Sequence, residues 1–276
     1  MELKSRLGSG ARVLSGGQSL VPLLRQRLAQ PDALISLGRI AGLADIRVNG
    51  GASIGAMTTV RAIEVSPELR KVAPILPLAC SSVASVHVRT MGTIGGNLCH
   101  AEVGSDPPQA LLLLDAQVDA VSARGHRGIS IHDFVQGYFT SVLDDDEIVT
   151  GFSFTAPSPS ARFSYKKYSL RAMDLAIAAV GVGVDFVGDR CEWLRIAVGG
   201  VGPRPVRARQ AEADWHGCPL NDLTRNAGGL GEDVAREVEP SLSDVFGSEG
   251  YRRRLVRAGV KQAIESLAAS YAEEVG

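Results

Sequence analysis

Two glycine-containing stretches carry the residue types from which a phosphate-binding loop is built. Residues 14–20 read LSGGQSL, and residues 89–98 read RTMGTIGGNL. Glycine has no Cβ, so its N–H can approach an anion closely and its backbone adopts a positive φ at low cost. Successive backbone N–H groups in such a turn form an anion-binding concavity. The two loops together therefore predict a site for the two phosphates of one dinucleotide.

The first glycine pair falls between a predicted strand and a predicted helix. Residues 11–14 read as a short strand. After the pair, leucines recur at the three- and four-residue spacing of an amphipathic helix that begins near Ser19. Pro22 falls in the first turn of that helix, where its missing N–H costs nothing. A helix N-terminus after two glycines favours a bound phosphate, and an ordinary strand-to-helix turn is the alternative.

Turn and strand signals continue through residue 156. The triplet Asn49-Gly50-Gly51 predicts the turn of a hairpin, and Thr58-Thr59 is typical of a helix cap. Pro107-Pro108 predicts the start of a helix directly after Asp106. Further strands are predicted at residues 33–37, 46–48, 52–56, 118–121, 128–131 and 147–154, with a helix over residues 72–83.

A second module is predicted after residues 157–160, which read PSPS and are typical of a linker. Strands are predicted at residues 163–168, 182–187 and 193–198, a strand or helix at 174–180, and a loop at 199–205. The final helix is predicted to turn Leu255, Gly259, Ile264 and Leu267 inward. Its basic run, residues 252–254, is expected on the solvent side.

Composition and charge exclude several classes of function. The chain has 276 residues and a formal net charge of −1, which gives no basic field for nucleic acid. A hydrophobic content of 45% is ordinary for a globular protein, and no apolar run approaches the roughly 20 residues of a membrane span. The charged first residues predict no cleavable signal. We therefore expect a cytoplasmic protein that binds neither nucleic acid nor membrane.

The four cysteines are scattered along the chain at Cys80, Cys99, Cys191 and Cys218. None forms the C-x-x-C pair that is typical of zinc and iron–sulfur sites. We expect reduced thiols and no metal site held by this chain alone.

Four separated segments form one combined pattern. Residues 15–24 read SGGQSLVPLL, residues 54–59 read IGAMTT, and residues 92–98 read GTIGGNL, with Asp106 beyond them. The C-terminal segment comprises VGGV at 198–201, PVRA at 205–208, then Glu212, Asp244 and Tyr251-Arg252. Together these segments resemble the FAD-binding medium subunit of the molybdenum hydroxylases, the family of carbon monoxide dehydrogenase and xanthine dehydrogenase. The resemblance covers nearly the whole chain, and the combination is specific although either glycine pair alone would be weak.

The resemblance implies an α+β fold in three parts. Residues 1–50 and 51–156 would be two FAD-binding subdomains of the PCMH, or vanillyl-alcohol-oxidase-like, type, which sandwich an extended FAD. Residues 161–276 would form a domain of an antiparallel sheet with helices, similar to the C-terminal domain of the carbon monoxide dehydrogenase flavoprotein.

The resemblance also assigns residues to FAD. The pyrophosphate would be met from one side by Ser15, Gly16, Gly17, Gln18, Ser19 and Leu20. It would be met from the other side by Thr93, Ile94, Gly95, Gly96 and Asn97, through N–H groups and short side chains. No catalytic residue and no metal ligand is implied.

Four further residues complete the implied site, each with an alternative role. Asp106 would hydrogen-bond FAD hydroxyls, or cap the helix that begins at Pro107. Lys166 would lie near the isoalloxazine, where its charge favours the anionic reduced flavin, or be a surface strand residue. Met57 and Val149 would pack around the cofactor, or belong to the core.

One departure concerns the N-terminus. Family members place an extra strand and helix before the first glycine loop, where this sequence has only residues 1–13 before Leu14. Either that element is missing, or the sequence starts downstream of the true beginning of the protein. Its loss would expose an edge of the first subdomain and lower the affinity for FAD.

The function that the resemblance implies is electron transfer. A large partner subunit with a molybdenum cofactor would hydroxylate the substrate, and a small 2Fe–2S subunit would pass electrons to the FAD of this chain. The FAD would then reduce an external acceptor. A free-standing FAD-dependent oxidase or dehydrogenase, and a non-catalytic assembly protein that has lost FAD, are the two alternatives.

Overall fold

A two-stranded parallel sheet carries the first glycine loop. The computed structural model, which describes residues 2–238 and 241–275 (272–275 by backbone alone), pairs β1 (Ala11–Leu14) with β2 (Ala33–Ser36). Helix α1 (Glu2–Leu7) precedes β1, and α2 (Leu20–Arg25) forms part of the crossover that parallel strands require. Both strands and the helix after the glycine pair are as predicted.

A five-stranded antiparallel sheet with helices on one face follows. Its strand order is β3–β4–β9–β5–β6. The strands are β3 (Ile46–Val48), β4 (Gly51–Gly55), β5 (Gln117–Ser122), β6 (Gly125–Ser130) and β9 (Ile148–Thr155). Alternation along β4 buries Ala52 and Ile54 and exposes Ser53, so one face of the sheet meets the helices.

The helices that pack on this face are short and connected by tight loops. They are α3 (Val60–Val65), α4 (Pro67–Val72), α5 (Ile75–Ser81), α6 (Val86–Met91), α7 (Ile94–His100), α8 (Pro107–Leu113) and α9 (Ile131–Phe134). A small hairpin, β7 (Val135–Gly137) and β8 (Thr140–Ser141), follows α9. As predicted, Thr59 caps α3, because its hydroxyl accepts the N–H of Ala62.

The hairpin of β3 and β4 spans the predicted boundary between the two FAD-binding subdomains. Gly50 has the positive φ of +64° that its turn requires, and β3 pairs with β4 in the five-stranded sheet. The predicted division between residues 50 and 51 therefore falls inside a hairpin. We propose that the second subdomain begins ahead of Ile46.

Two predicted elements differ in the structure. The helix predicted over residues 72–83 is shorter: it is α5, from Ile75 to Ser81, and Val72 is the last residue of the preceding helix α4. Proline disfavours helical backbone in the residue before it, and Pro74 therefore separates them. The segment 174–180, predicted as strand or helix, is a loop until a strand begins at Ala178.

The C-terminal part is an antiparallel sheet between two helical layers. Its strands are β10 (Arg162–Tyr168), β11 (Ala178–Val187), β12 (Arg190–Gly199) and β13 (Val206–Arg207). One face packs against α8, and the other against α10 (Arg209–Asp214), α11 (Leu220–Arg225), α12 (Ala227–Glu237) and α13 (Glu249–Val275). Burial on both faces explains why β11 reads as a nearly continuous apolar run.

The long helix α13 confirms part of its predicted inward face and corrects another part. Gly259, Ile264 and Leu267 are buried, and Leu255 is partly buried. Arg252, which was expected in solvent, is only 2% exposed. The error has a geometric cause: Arg252 lies four residues before Val256, so it shares the inward stripe of the helix.

An ionic cluster joins the C-terminal sheet to the end of α8. The carboxylate of Asp115 lies 2.6 Å from Nε2 of His132, 2.6 Å from Nη2 of Arg195 and 2.7 Å from Nη1 of Arg207. Arg207 also binds Glu212. Burial alone would raise the pKa of Asp115, but the hydrogen bond from His132 and the charges of both arginines lower this pKa to about 2.

We expect Asp115→Asn to lower the free energy of unfolding at pH 7 by about 1 kcal/mol, a figure discounted for the partial exposure of the carboxylate. The depressed pKa means that the carboxylate stabilises the fold above about pH 4 and that this contribution is lost as pH falls toward 2. Urea unfolding of both proteins across that range measures the effect. A constant difference from pH 7 to pH 2 would contradict it.

Three absences hold for the described residues. No helix in this part of the chain is long and apolar enough to cross a membrane. No group of histidine, cysteine and carboxylate side chains within it is arranged to hold a metal ion. All four cysteines are free.

Candidate functional site

The two glycine loops lie against one another. A Cβ added at Gly16 would lie 2.1 Å from the carbonyl oxygen of Met91 and 2.8 Å from Cα of Gly92. The hydroxyl of Thr93 donates to the hydroxyl of Ser15 across 3.2 Å. The first loop therefore meets the second through backbone that only glycine permits, and through one hydroxyl pair.

The glycines of the second loop serve close packing. A Cβ at Gly95 would lie 2.7 Å from Cβ and from the carbonyl oxygen of Ala56. A Cβ at Gly96 would lie 2.5 Å from Oγ of Ser15 and 2.9 Å from Oγ1 of Thr93. Gly95 thus seats α7 on the chain after β4, and Gly96 leaves room for the two hydroxyls.

The backbone N–H groups of residues 94–97 in the second loop are hydrogen-bonded within the protein. The N–H groups of Ile94, Gly95, Gly96 and Asn97 donate to the Thr58 carbonyl, the Ala56 carbonyl, the Thr93 hydroxyl and the Thr93 carbonyl. We had expected N–H groups from both loops to meet a pyrophosphate. In this arrangement the second loop offers the partly buried Asn97 amide, whereas the hydroxyl of Thr93 is buried and bonded to Ser15.

The backbone N–H groups of residues 16–19 in the first loop are available to a ligand. Within the described parts of the chain, no acceptor is hydrogen-bonded to the N–H groups of Gly16, Gly17, Gln18 and Ser19. Gly17 has a positive φ of +71°, and Gln18 and Ser19 are exposed. Four consecutive unbonded N–H groups are the kind of concavity that receives a phosphate.

Asp106 is buried at the junction of the two domains. Its side chain accepts the Tyr165 hydroxyl at 2.8 Å and the Lys167 ammonium at 2.7 Å, and it is only 3% exposed. It occupies the N-cap position of α8, as the alternative role predicts, but its side chain makes no cap hydrogen bond to that helix. Burial raises the pKa of Asp106 to about 6, and Lys167 and Tyr165 oppose that rise.

Lys166 and Lys167 lie on opposite faces of β10. Lys166 is paired with Val180, whose side chain belongs to the core under α13, whereas Lys167 is paired with Ala179 in the core of the FAD-binding part. The assignment of Lys166 to the isoalloxazine stays a prediction. Sequence reasoning missed Lys167 and Tyr165, although their two-residue spacing in a strand places both side chains on one face.

The remaining predicted residues have varied surroundings. Val149 and Ile94 are buried in the core, Met57 and Leu20 are partly buried, and the Asn97 amide oxygen accepts the Ser105 hydroxyl at 2.7 Å. Ser105 was not predicted. The sequence signal that could have identified Ser105 is its position between two predicted site residues, Asn97 and Asp106.

Comparison with known proteins decides the family. Residues 1–157 match the model of the FAD binding domain in molybdopterin dehydrogenase, and residues 163–267 match the CO dehydrogenase flavoprotein C-terminal domain. The chain belongs to the FAD-binding medium subunits of the molybdenum hydroxylases. It is therefore an oxidoreductase subunit, and FAD is its cofactor.

Individual relatives agree with the family along nearly the whole chain. The glyceraldehyde dehydrogenase medium chain of Sulfolobus acidocaldarius is 33% identical, over 93% of this chain and 90% of its own length. The carbon monoxide dehydrogenase medium chain of Afipia carboxidovorans is 30% identical, over 95% and 91%. The solved quinoline 2-oxidoreductase of Pseudomonas putida 86 superposes with a TM-score of 0.90 at 32% identity, covering 98% of this chain and 94% of that one. The predicted fold and family are confirmed.

The residues present fit FAD. The unbonded N–H groups of residues 16–19 suit the pyrophosphate, the paired hydroxyls of Ser15 and Thr93 adjoin them, and a carboxylate that is ionised at neutral pH suits sugar-like hydroxyls. FAD supplies the redox chemistry when bound, whereas the chain binds and orients it.

The raised pKa of Asp106 predicts that FAD binding weakens in acid. A hydroxyl bonded to Asp106 has a charge-assisted acceptor only while the carboxyl group is ionised, so protonation below about pH 6 weakens that hydrogen bond. We expect the dissociation constant of FAD to rise by up to about tenfold one pH unit below this pKa. Flavin fluorescence titrations between pH 4.5 and pH 8 measure it. Asp106→Asn should flatten the profile, and a wild-type profile without an inflection near pH 6 would refute the assignment.

Proposed function

We propose that this chain binds FAD where its two glycine loops meet, at the N–H groups of the first loop, and carries electrons through it within a molybdenum hydroxylase complex. In this proposal, a large partner subunit holds the molybdenum cofactor and hydroxylates the substrate. A small subunit passes the electrons through 2Fe–2S clusters to the FAD, which passes them to an external acceptor. The four free cysteines agree with a reducing compartment such as the cytoplasm.

One observation carries the proposal: the first loop offers four consecutive N–H groups that have no acceptor among the described residues, beside the Ser15–Thr93 hydroxyl pair. The pyrophosphate would be held by Gly16, Gly17, Gln18 and Ser19 through these groups, with Thr93 and Asn97 opposite. Asp106 would accept a hydroxyl of the FAD chain. The names of the relatives support the complex, because several are medium chains or subunits of dehydrogenases.

A reconstitution experiment tests the electron path. The purified chain would be loaded with FAD and mixed with its separately purified molybdenum and iron–sulfur partner subunits, and flavin absorbance would be followed after substrate is added. We expect flavin reduction only when all three subunits are present. Reduction of the loaded chain by the small-molecule substrate alone would favour a free-standing dehydrogenase. Failure to take up FAD would favour the non-catalytic alternative.

A further inference from the structure

Arg252 is a buried arginine that the binding site does not use directly. Its Nη1 donates to the carbonyl oxygens of Ile177 and Gly200, and its Nη2 donates to the Asp244 carboxylate at 2.7 Å. Three separate segments therefore meet at one guanidinium: the loop before β11, the loop after β12 and the turn before α13. Its neighbours Arg253 and Arg254 are partly or fully exposed, so burial distinguishes Arg252 within the basic run.

Of the two residues whose carbonyls Arg252 binds, Gly200 bonds the loop of residues 101–105 directly, and Ile177 does so through its neighbour Ala176. The N–H of Ala176, one residue before Ile177, donates to the carbonyl oxygen of Gly104 at 3.1 Å. The N–H of Gly200 donates to the carbonyl oxygen of Val103 at 2.9 Å. Through these two bonds the C-terminal domain holds the loop of residues 101–105.

The loop of residues 101–105, which these two bonds clamp, connects two predicted FAD ligands, Asn97 and Asp106. It begins after α7 with Ala101, whose φ of +51° is left-handed, and ends at Ser105, whose hydroxyl fixes the amide of Asn97. Asp106 follows directly. Residues 101–105 have no regular secondary structure, so the bonds from Ala176 and Gly200 help to fix the loop that carries the Ser105 hydroxyl and leads into Asp106. Asn97 itself lies in α7, and the loop acts on its side-chain amide through Ser105.

We propose that Arg252 is a positioning residue for FAD. By holding the carbonyls of Ile177 and Gly200, it sets the two N–H groups that clamp the 101–105 loop, and it thereby orients Asn97 and Asp106. This inference rests on the proposed FAD site. On this proposal, the affinity of the N-terminal part for FAD depends on a residue of the C-terminal helix α13.

Two pairs of variants of the full chain test the proposal. Arg252→Gln removes the clamp, and Arg254→Gln is its control on the exposed side of the same helix. Gly200→Ala disturbs the clamp with Arg252 intact, because its Cβ would lie 2.9 Å from the Ala176 carbonyl oxygen and its φ is +79°. Gly202→Ala is its control in the same loop, because its Cβ would lie 3.5 Å from Oγ of Ser241.

The readouts are the FAD dissociation constant, the visible circular dichroism of the bound flavin, and the unfolding midpoint of the apoprotein. We expect Arg252→Gln and Gly200→Ala to weaken FAD binding at least tenfold and to alter the flavin dichroism, while both controls match the wild type. If Arg252→Gln does not fold, Gly200→Ala decides. A lower unfolding midpoint with unchanged affinity and dichroism would overturn the proposal. Wild-type protein that takes up no FAD would instead refute the proposed site itself.

Discussion

Replacing Gly16 by alanine is expected to weaken FAD binding about a hundredfold. The new Cβ would lie 2.1 Å from the carbonyl oxygen of Met91, so the two glycine loops must separate. Separation breaks the hydroxyl pair of Ser15 and Thr93 and displaces the unbonded N–H groups of the first loop. Losing two charge-assisted hydrogen bonds to phosphate costs about 3 kcal/mol, which corresponds to that factor.

The control for this experiment is Gly38→Ala, in the loop that follows β2. Its Cβ would lie 3.7 Å from the nearest atom, Oγ of Ser36, which is an ordinary contact. Fluorescence titration with FAD measures both variants at one pH. Equal affinity in the two variants would contradict the role of Gly16 in joining the loops.

The second large effect is expected from Lys167→Met, which removes the ammonium that faces buried Asp106. The two side chains are 9% and 3% exposed and lie 2.7 Å apart. Leaving one member of such a pair buried and unpaired typically costs about 3–5 kcal/mol of unfolding free energy. Urea unfolding at pH 7 measures it, and Lys166→Met on the opposite face of β10 is the control, with an expected change within about 0.5 kcal/mol.

The pH dependence and a double variant sharpen this test. Because the folded pKa of Asp106 lies above its usual value, the carboxyl group stabilises the fold less as pH rises from about 4 to about 6. Loss of Lys167 raises the pKa further and extends this decline to higher pH. Asp106→Asn combined with Lys167→Met should recover much of the stability at pH 7. A double variant as unstable as Lys167→Met would mean that Lys167 acts through Ser82, its other partner, rather than through Asp106.

Local signals were sufficient to predict much of the fold. The Asn49-Gly50 turn, the Thr59 cap and the apolar periodicities report on interactions within a few residues, and the structure has the predicted hairpin, helix and strands. The two glycine loops were recognisable because each requires backbone without a side chain at a fixed place. The combination of four motifs then identified the family.

Interactions between distant segments could not be read from the sequence. No local pattern indicates that the N–H of Gly95 donates to the carbonyl oxygen of Ala56. Bonds of this kind occupy the N–H groups of the second loop and leave only those of the first loop without an acceptor. Arg252 resembles its exposed neighbours until the loops around Ile177 and Gly200 are folded over it. The choice between Lys166 and Lys167 likewise depends on which face of β10 meets Asp106.

Amide hydrogen exchange with and without FAD tests the central claim most directly, because it reports on individual backbone donors. We predict that FAD slows exchange at residues 16–19, whose N–H groups are unbonded in the described chain. Exchange at residues 94–97 should change little, because those groups already have acceptors. Unchanged exchange at residues 16–19 in protein saturated with FAD would contradict the placement of the pyrophosphate at the first glycine loop.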